Sequence, residues 1–437
     1  QELAERAGAP LVVLFNLVPS FLEATARQFH FMLRGLRQVE MDLAALGIGF
    51  RVLLGAPEDT VPEFVREHSV KALVCDFSPL RISVGWKKAV AKKLEGTAIP
   101  MYEVDAHNIA PCWYVSDKCE FGAKTIRGKI HRAMPEFLVE LKELTSHSIA
   151  WEHNEPVDWA GCLKSLNINN DIPEVTWLTS GERSAFKMLE TFLPKLGRYD
   201  EDRNNPNLRG AVSNLAPYLH FGQVAAQRVA LEVKRRTAQS ISRLFTNDRT
   251  TGPQAFLEEL VVRKELSDNY CLYNPDYDNI DGAHAWARKE IEAHRGDRRE
   301  RVWGRAALEA ARSHEDLWNA AQLELVQRGK LHGYMRMYWA KKILEWTATP
   351  EEGLATAIYL NDKYSLDGRD PSGYVGCMWA ICGVHDRAWT SRPVFGKIRY
   401  MNYNGCKRKF DVGGYIAKNR RIQASGPQGS VASKKIK

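Results

Sequence analysis

The chain has 437 residues, of which 44% are hydrophobic and 26% are charged, and its formal net charge is +8. This length predicts two or three domains with a sizeable core. No apolar run reaches the roughly 20 residues of a membrane helix, and the first residues have the pattern of a polar helix rather than a secretory leader. The eight cysteines form no CxxC pair and accompany no histidine cluster. We therefore expect a protein of a reducing, intracellular compartment with no membrane partner, disulfide framework or metal site.

Apolar and helical segments alternate over the first hundred residues. Strands are predicted at residues 11–15, 50–54, 72–76 and 99–104, and helices at residues 21–46, 57–67 and 83–94. This alternation is typical of right-handed βαβ units, which place a parallel sheet between helices. No GxGxxG follows the first strand, so the dinucleotide fingerprint is absent. We predict a parallel α/β (Rossmann-like) domain over residues 1–115.

The rest of the chain is predicted to be a connector and a helical domain. Residues 116–179 are less regular and form the predicted interdomain connector. After them come helices almost without strands, so we predict an all-helical domain over residues 180–417. Ser180 is the expected N-cap of its first helix, and Gly329 is expected to end a helix that begins near Ser313. The fold class is therefore α/β plus all-α.

The positive charge is concentrated at the C-terminal end. Residues 387–437 contain 13 Lys and Arg and one acidic residue, Asp411. A basic end on a near-neutral body indicates a polyanionic partner. Aromatic residues are interleaved with the charges over residues 387–409, which favours a binding surface there. Residues 418–437, rich in Gly, Ser and Lys, are predicted to be a disordered basic tail.

Three tryptophans of the helical region have suggestive spacing. Trp339 and Trp346 are seven residues apart, hence on one helix face and about 10 Å apart along the axis. Trp318 lies on the preceding helix, which the turn at Gly329 should fold back. Such indoles could pass an electron stepwise or could simply pack in the core. Spacing alone leaves both interpretations open.

Three polar segments also leave alternatives open. Small residues and backbone amides over residues 204–222 could receive a phosphate before a helix, or could form an ordinary turn. Glu259 and Arg263 have the i, i+4 spacing of a surface pair, although a carboxyl group in a dry pocket could instead hydrogen-bond an uncharged ring. The composition of residues 361–371 indicates a surface loop.

Six strings together strongly resemble class II cyclobutane pyrimidine dimer photolyases, with the plant-type members most similar. They are PYLHFG (217–222), EELVVRKEL (258–266), MRMYWAKKILEW (335–346), LNDKY (360–364), DGRDPSGY (367–374) and RPVFGKIRYM (392–401). The resemblance extends from about residue 10 to residue 416. It implies light-driven repair, a carbon–carbon lyase reaction in which photoexcited reduced FAD donates an electron to a pyrimidine dimer flipped out of double-stranded DNA.

The resemblance also implies cofactors, partners and compartment. FAD is expected in a U shape inside the helical domain. Some relatives carry a deazaflavin-type antenna chromophore, for which this sequence has no deciding motif. The expected state is a monomer without an obligate protein partner. The expected compartment is the nucleus or a DNA-containing organelle in a eukaryote, and otherwise the cytoplasm.

The family's functional residues can be carried over position by position. The resemblance places FAD against Tyr199, Ser213 and Leu215, with an ion pair of Arg336 and Asp367 beside the isoalloxazine and Asn361 facing its N5. The remaining roles concern the lesion, the DNA and electron transfer: Glu259 as hydrogen-bond partner of the lesion, Met337 and Trp379 as its apolar walls, Arg387 and Arg399 in the gap of the duplex and on its phosphates, and Trp339, Trp318 and Trp346 as successive electron relays.

Two departures from the family pattern stand out. The family's Ser-Gly-Leu-Ser-Pro is here Ser213-Asn214-Leu215-Ala216-Pro217, so one side-chain contact to FAD is expected to be missing. Val262 stands where class I enzymes have a tryptophan, which leaves no lesion-stacking residue there. The alternatives are a cryptochrome-like blue-light receptor and repair of (6-4) photoproducts, which would need a histidine over the lesion, such as His332. The complete set of lesion-pocket residues and the basic end favour dimer repair.

Overall fold

Strands and helices alternate in the N-terminal part of the computed structural model, which describes residues 1–424 of the chain. Its elements are α1 (Glu2–Ala7), β1 (Val12–Leu17), α2 (Ala26–Ala44), β2 (Gly49–Leu54), α3 (Pro57–Glu67), β3 (Leu73–Asp76), α4 (Arg81–Leu94) and β4 (Met101–Val104). The α/β prediction is confirmed in element type and order. Helix α2 begins later than predicted because Thr25 and Gln28 form a capping box that fixes its first turn.

The strands pair in parallel, as predicted. Strand β1 lies beside β2 with Val12 opposite Gly49, and β3 lies beside β4 with Leu73 opposite Met101. Within residues 1–424 the two pairs are separate two-stranded sheets, which differs from the single sheet expected from the sequence. The α/β part therefore has two small sheets, and helix α3 packs against both of them.

The connector is more ordered than its composition predicts. Helix α5 (Cys112–Val115) ends directly before it, and the connector itself contains α6 (Ala123–Phe137) and α7 (Trp159–Lys164). Helix α6 buries Ile126, Ile130 and Met134 in the same core as Val229 and Phe256 of the helical part. Apolar residues at helical spacing thus make this segment part of the helical core.

The C-terminal part is helical. Its α-helices are α8 (Glu182–Phe192), α9 (Tyr199–Asp202), α10 (Ala216–His220), α11 (Ala226–Thr237), α12 (Ile241–Leu244), α13 (Gly252–Leu257), α14 (Lys264–Tyr273), α15 (Ala285–Ala293), α16 (Arg305–Glu309), α17 (Asp316–Arg328), α18 (Gly333–Trp346), α19 (Pro350–Tyr364), α20 (Pro371–Cys382), α21 (Tyr403–Lys407) and α22 (Val412–Ala424). Two 3₁₀ helices span Leu193–Arg198 and Ile280–Gly282, and a π-helix spans Glu258–Arg263.

Three boundaries test the sequence signals. The N-cap of α8 is Gly181, with φ of 103° and no side-chain cap, so the assignment of Ser180 as N-cap is wrong. Gly329 ends α17 in the left-handed conformation, with φ of 62°, as predicted. Helix α22 continues to Ala424, so residues 418–424 are helical, unlike the predicted tail. The rest of that tail, residues 425–437, lies outside the described residues.

The core of the helical part positions the site. Helices α17, α18, α19 and α20 pack around a cluster that includes Trp318, Trp339 and Met378. In the described chain, no helix combines the length and the apolar character needed to cross a membrane.

Candidate active site

Helix α18 carries three of the predicted site residues within four positions: Arg336, Met337 and Trp339. Its N-cap is His332, whose Nδ1 accepts from the backbone N–H of Tyr334 at 3.2 Å. Trp339 is buried, while Arg336 and Met337 are half-buried. One helix therefore carries a half-buried cation and a half-buried thioether next to an indole that is buried in the core.

The predicted pair of Arg336 and Asp367 is present, with 3.6 Å between Nη2 and Oδ1. Burial opposes ionisation of Asp367, but the charge of Arg336 and a hydrogen bond from Ser365 together lower its pKa. The carboxylate is therefore ionised at neutral pH. Asn361 is buried nearby on α19, and its amide donates to Asp362 Oδ1 at 3.3 Å.

The segment 361–371 is not a surface loop. Asn361, Leu366 and Arg369 are all buried. The Asp362 carboxylate organises the turn by accepting from the Arg369 backbone N–H at 2.9 Å and from the Tyr374 hydroxyl at 3.1 Å. These polar turn residues are buried by packing against the rest of the helical part, which composition cannot distinguish from exposure.

On the opposite side of the predicted cofactor site, Tyr199 and Leu215 are buried and Ser213 is half-buried. Asn214, which replaces the family glycine, has φ of 58°, a left-handed conformation that asparagine tolerates. Its Oδ1 accepts a hydrogen bond from Lys330 Nζ. The replacement therefore adds a partner for Lys330.

Sequence reasoning missed Lys330. Burial lowers the pKa of its ammonium group to about 8. Its partner Asn214 lies 116 residues earlier in the chain, and no local pattern links the two positions.

The pocket contains buried donors that lack acceptors. Among the described residues, Arg336 Nε and His332 Nε2 are buried without a hydrogen-bond partner. Burial, together with the charge of Lys330, lowers the pKa of His332 to about 4, so this ring is neutral at pH 7. Unmet donors beside a half-buried arginine and a half-buried lysine fit a ligand rich in oxygen and nitrogen acceptors, such as a dinucleotide cofactor.

The three tryptophans form one continuous cluster. The Trp318 and Trp339 rings are parallel within 3° at a centroid distance of 6.5 Å, and Trp318 meets Trp346 at 5.7 Å and 68°. All three are buried. The indole N–H of Trp318 donates to the Trp339 carbonyl at 3.0 Å, and that of Trp339 donates to Gln322 Oε1 at 2.8 Å. The spatial order is therefore Trp339, Trp318, Trp346.

The cluster extends further than the sequence predicted. His314 contacts Trp346 with ring centroids 4.8 Å apart and stacks on Trp303 at 6.2 Å. Trp303 is half-buried, so this row of rings runs from the core towards the surface. The residues lie on the segment before α17, where no helical spacing relates them to Trp346.

The predicted lesion residue, Glu259, lies in the π-helix. Its side chain is 40% exposed, and its Oε1 accepts from Arg203 Nη1 at 2.7 Å. Arg263 instead donates to the neighbouring carboxylate, Glu258, at 3.1 Å. A surface pair of Glu259 and Arg263 is therefore wrong, because the wider turn of a π-helix brings residues i and i+5 together.

Aromatic rings hold the basic residues that follow α20. The Arg399 guanidinium carbon is 4.2 Å from the Trp389 ring centroid and 5.4 Å from that of Trp379, and its Nε donates to Asp386 at 2.8 Å. Arg387 is exposed and lies 4.6 Å from the Trp389 centroid. Rings interleaved with charges in the sequence thus pack against those charges in the structure.

A cavity of about 830 Å³ lies between the α/β part and the helical part. Its wall includes Met32, Trp86 and Phe221, together with the charged residues Lys264 and Asp370. Asp370 Oδ2 is 3.0 Å from His220 Nδ1. In the described chain, no three His, Cys, Asp or Glu side chains are grouped to hold a metal ion.

The chain is similar to known proteins over nearly its whole length. Residues 2–146 match the family model described as DNA photolyase. The deoxyribodipyrimidine photo-lyase of Arabidopsis thaliana is 50% identical over 428 residues, covering 95% of this chain and 84% of the relative. That of Potorous tridactylus is 49% identical over 414 residues, covering 94% and 76% respectively.

A solved structure shares the fold. The class III photolyase of Agrobacterium tumefaciens superposes with a TM-score of 0.69 at 18% identity, covering 97% of this chain and 83% of that one. At this identity the similarity concerns the architecture alone, an α/β part followed by a helical part.

Proposed function

Because this chain belongs to the DNA photolyase family, we propose that it repairs cyclobutane pyrimidine dimers in double-stranded DNA with light as the energy source. The reaction splits carbon–carbon bonds and has no net redox change. The observation that carries the proposal is the arrangement on α18, where Arg336, Met337 and Trp339 sit within four residues. One helix would thereby connect the cofactor pocket, the lesion wall and the indole cluster.

FAD is the cofactor that we assign to the pocket, where it would supply the light-driven electron that splits the dimer. The pair of Arg336 and Asp367 would flank its isoalloxazine, with the Asn361 amide close by. Arg336 provides a fixed positive charge, which stabilises negative charge at low reorganisation cost. Tyr199, Ser213 and Leu215 would form the other wall, where Lys330 supplies a second cation.

Glu259 would bind the flipped lesion. Its half-exposed carboxylate is paired with Arg203. A lesion entering this site would exchange that partner for pyrimidine N–H groups, with Met337 and Trp379 as apolar walls. Damaged bases stack poorly, which lowers the cost of flipping them.

Arg387 and Arg399 would hold the duplex. Arg387 is exposed, whereas Arg399 is fixed between Asp386 and two indoles. Two guanidinium groups on the same Trp389 ring, one exposed and one held by Asp386, suit a gap in the duplex and the phosphates that border it. Most of the affinity for DNA would then come from phosphate contacts and would fall as the salt concentration rises.

The buried indoles would reduce the oxidised enzyme under illumination. Trp339 would be the first donor, Trp318 would refill it, and Trp346 would be third, in keeping with the ring contacts. The buried positions of the three rings and their centroid distances of 6.5 and 5.7 Å support this order.

We infer that the cavity between the two parts binds an antenna chromophore of deazaflavin type. Its volume and its mostly apolar wall, interrupted by a few polar groups, are those of small-molecule sites. We retain domain boundaries of 1–115, 116–179 and 180–417 as proposals, together with a monomeric state and an intracellular compartment that contains DNA.

Repair of a dimer-containing oligonucleotide under blue light tests the function. We expect dimers to disappear only with light and with reduced flavin bound. A flavoprotein that leaves dimers intact would favour the cryptochrome-like receptor, and repair of (6-4) photoproducts alone would favour that specificity. The absorption spectrum of the purified protein separately reports FAD and any antenna.

A further inference from the structure

A single buried carboxylate gathers three arginines next to the lesion residue. Glu258 is only 5% exposed. Arg127 donates to both of its oxygens, with Nε at 3.0 Å and Nη2 at 2.8 Å. Arg249 Nη1 lies 3.3 Å and Arg263 Nε 3.1 Å from the same Oε1. Three guanidinium groups around one carboxylate leave two positive charges unmatched.

Only one of these arginines is needed to neutralise Glu258. The bidentate pair with Arg127, whose side chain is 11% exposed, already satisfies the buried carboxylate. Arg249 and Arg263 are 39% and 40% exposed and meet no other carboxylate among the described residues. They therefore offer guanidinium N–H groups to an anion outside the protein.

The cluster lies beside the surface assigned to DNA. Glu258 directly precedes Glu259 in the π-helix, and Arg263 ends that helix. Gly122, the N-cap of α6, packs against the backbone of His385, since a Cβ at Gly122 would be 3.7 Å from its Cα. Arg127 on α6 and Arg387, two residues after His385, are thus brought to one region of the molecule.

We propose that Arg127, Arg249 and Arg263, gathered on Glu258, form a binding site for a backbone phosphate of the DNA strand beside the lesion pocket. The inference rests on the proposed function. Arg249 and Arg263 make the contact, while Glu258 and Arg127 hold them in place before DNA arrives. Planar guanidinium groups match the oxygens of a phosphate, and fixing them beforehand reduces the entropy lost on binding.

The test compares Arg249→Gln and Arg263→Gln with a matched control, Arg235→Gln. Arg235 is 45% exposed and is paired with two carboxylates, Glu140 and Glu232, whereas the cluster arginines share one. Each variant removes one positive charge. Binding of damaged and undamaged duplexes is measured by fluorescence anisotropy over a range of salt concentrations.

We expect each cluster variant to reduce the slope of log affinity against log salt by about 0.9 and to weaken binding of both duplexes several-fold, in the same ratio. Arg235→Gln should match the wild type. Slopes equal to that of the control would overturn the proposal, as would a loss confined to damaged DNA, which would indicate a disturbed lesion pocket.

Two further measurements separate the possible failures. If the arginines only stabilise Glu258, Arg249→Gln should lower the unfolding temperature without changing the salt slope, and the proposal is then wrong. If the wild-type protein repairs dimers under light but the arginine variants keep the wild-type slope of log affinity against log salt, this inference alone is wrong. Wild-type protein that binds no DNA overturns the proposed function itself.

Discussion

The indole cluster and the arginine-rich surface lie in the same helical part but are built on opposite principles. Trp318, Trp339 and Trp346 are buried, and the N–H groups of Trp318 and Trp339 have protein partners. Glu259 and Arg387, in contrast, are half-exposed or exposed and are paired only with groups that a ligand could replace. The indole cluster thus has its partners within the protein core. The charged surface has partners that bound DNA would replace.

This difference predicts two separate sets of defects. Changes in the indole cluster should impair activation of the oxidised enzyme and leave repair by the reduced enzyme intact. Changes at the charged surface should impair binding or repair and leave photoreduction intact. A variant with both defects would break the separation.

The largest effect is expected for Trp339→Phe. The ring volume is mostly kept, so the stability cost should be only about 1–2 kcal/mol. Illumination of the oxidised variant with a thiol reductant should fail to accumulate reduced flavin, as followed by absorbance. After chemical reduction with dithionite, the same variant should repair dimers at nearly wild-type yield. Trp318→Phe should behave alike but less severely.

Trp159→Phe is the control for this experiment. Its indole N–H donates to Glu40 in the α/β part, at 2.7 Å, so the substitution removes an indole without touching the cluster. Normal photoreduction in Trp339→Phe would show that Trp339 contributes only to core packing and is not the first electron donor.

A smaller effect is expected for Glu259→Ala. Losing a hydrogen bond to a charged group costs about 1.5 kcal/mol, which corresponds to roughly tenfold weaker binding of the flipped dimer, and the repair yield per absorbed photon should fall because the dimer anion loses this hydrogen bond. FAD content and photoreduction should be unchanged. The matched control is Glu201→Ala, which removes an exposed carboxylate paired with Arg198. Repair at wild-type yield would show that Glu259 has no role at the lesion and serves only as the ion-pair partner of Arg203.

The features that could be predicted from the sequence are those that depend on residues close together in the chain. The spacing of Trp339 and Trp346 and the helix end at Gly329 were enough to place three indoles together, because a short turn makes neighbouring helices pack. The pair of Arg336 and Asp367 came from the resemblance to a family. Element types followed from periodicity in the same way.

Contacts between distant segments could not be predicted. Arg203 reaches Glu259 across 56 residues, and Lys330 reaches Asn214 across 116. Arg263 pairs with Glu258 rather than with the expected Glu259 because this segment is a π-helix. A π-helix has a weaker sequence signature than an α-helix. The burial of residues 361–371 likewise depends on packing against α20 and not on their own composition.

A more modest effect is expected for Arg399→Ala. If Arg399 contacts a phosphate, the salt slope should fall by about 0.9, with binding weakened several-fold for all sequences. Because Arg399 also packs on Trp379 and Trp389, the unfolding temperature of the variant should be measured in parallel. A slope equal to that of the wild type would show that Arg399 only supports these rings.

The smallest effect tests a carboxyl group that belongs to the core although it follows the charged helix. Glu265 accepts from the Ile109 N–H at 2.8 Å, and its second oxygen is buried without a partner among the described residues. Burial raises the pKa of Glu265 from 4.5 to about 8, with Asp105 and Asp268 adding to the effect. The folded protein thus keeps a proton that the unfolded chain releases, so stability should fall as pH rises from about 4.5 towards 8.

Glu265→Gln should remove this loss and raise the unfolding temperature at pH 8 by about 2–4 °C relative to the wild type. Glu258→Gln is the contrasting variant. Burial opposes ionisation of Glu258, but its arginines lower its pKa overall, so its stabilising contribution is present at neutral pH and lost as pH falls. At pH 8 this variant should therefore unfold at a lower temperature. If Glu265→Gln also lowers the unfolding temperature, Glu265 is ionised in the folded protein and belongs with the charged surface.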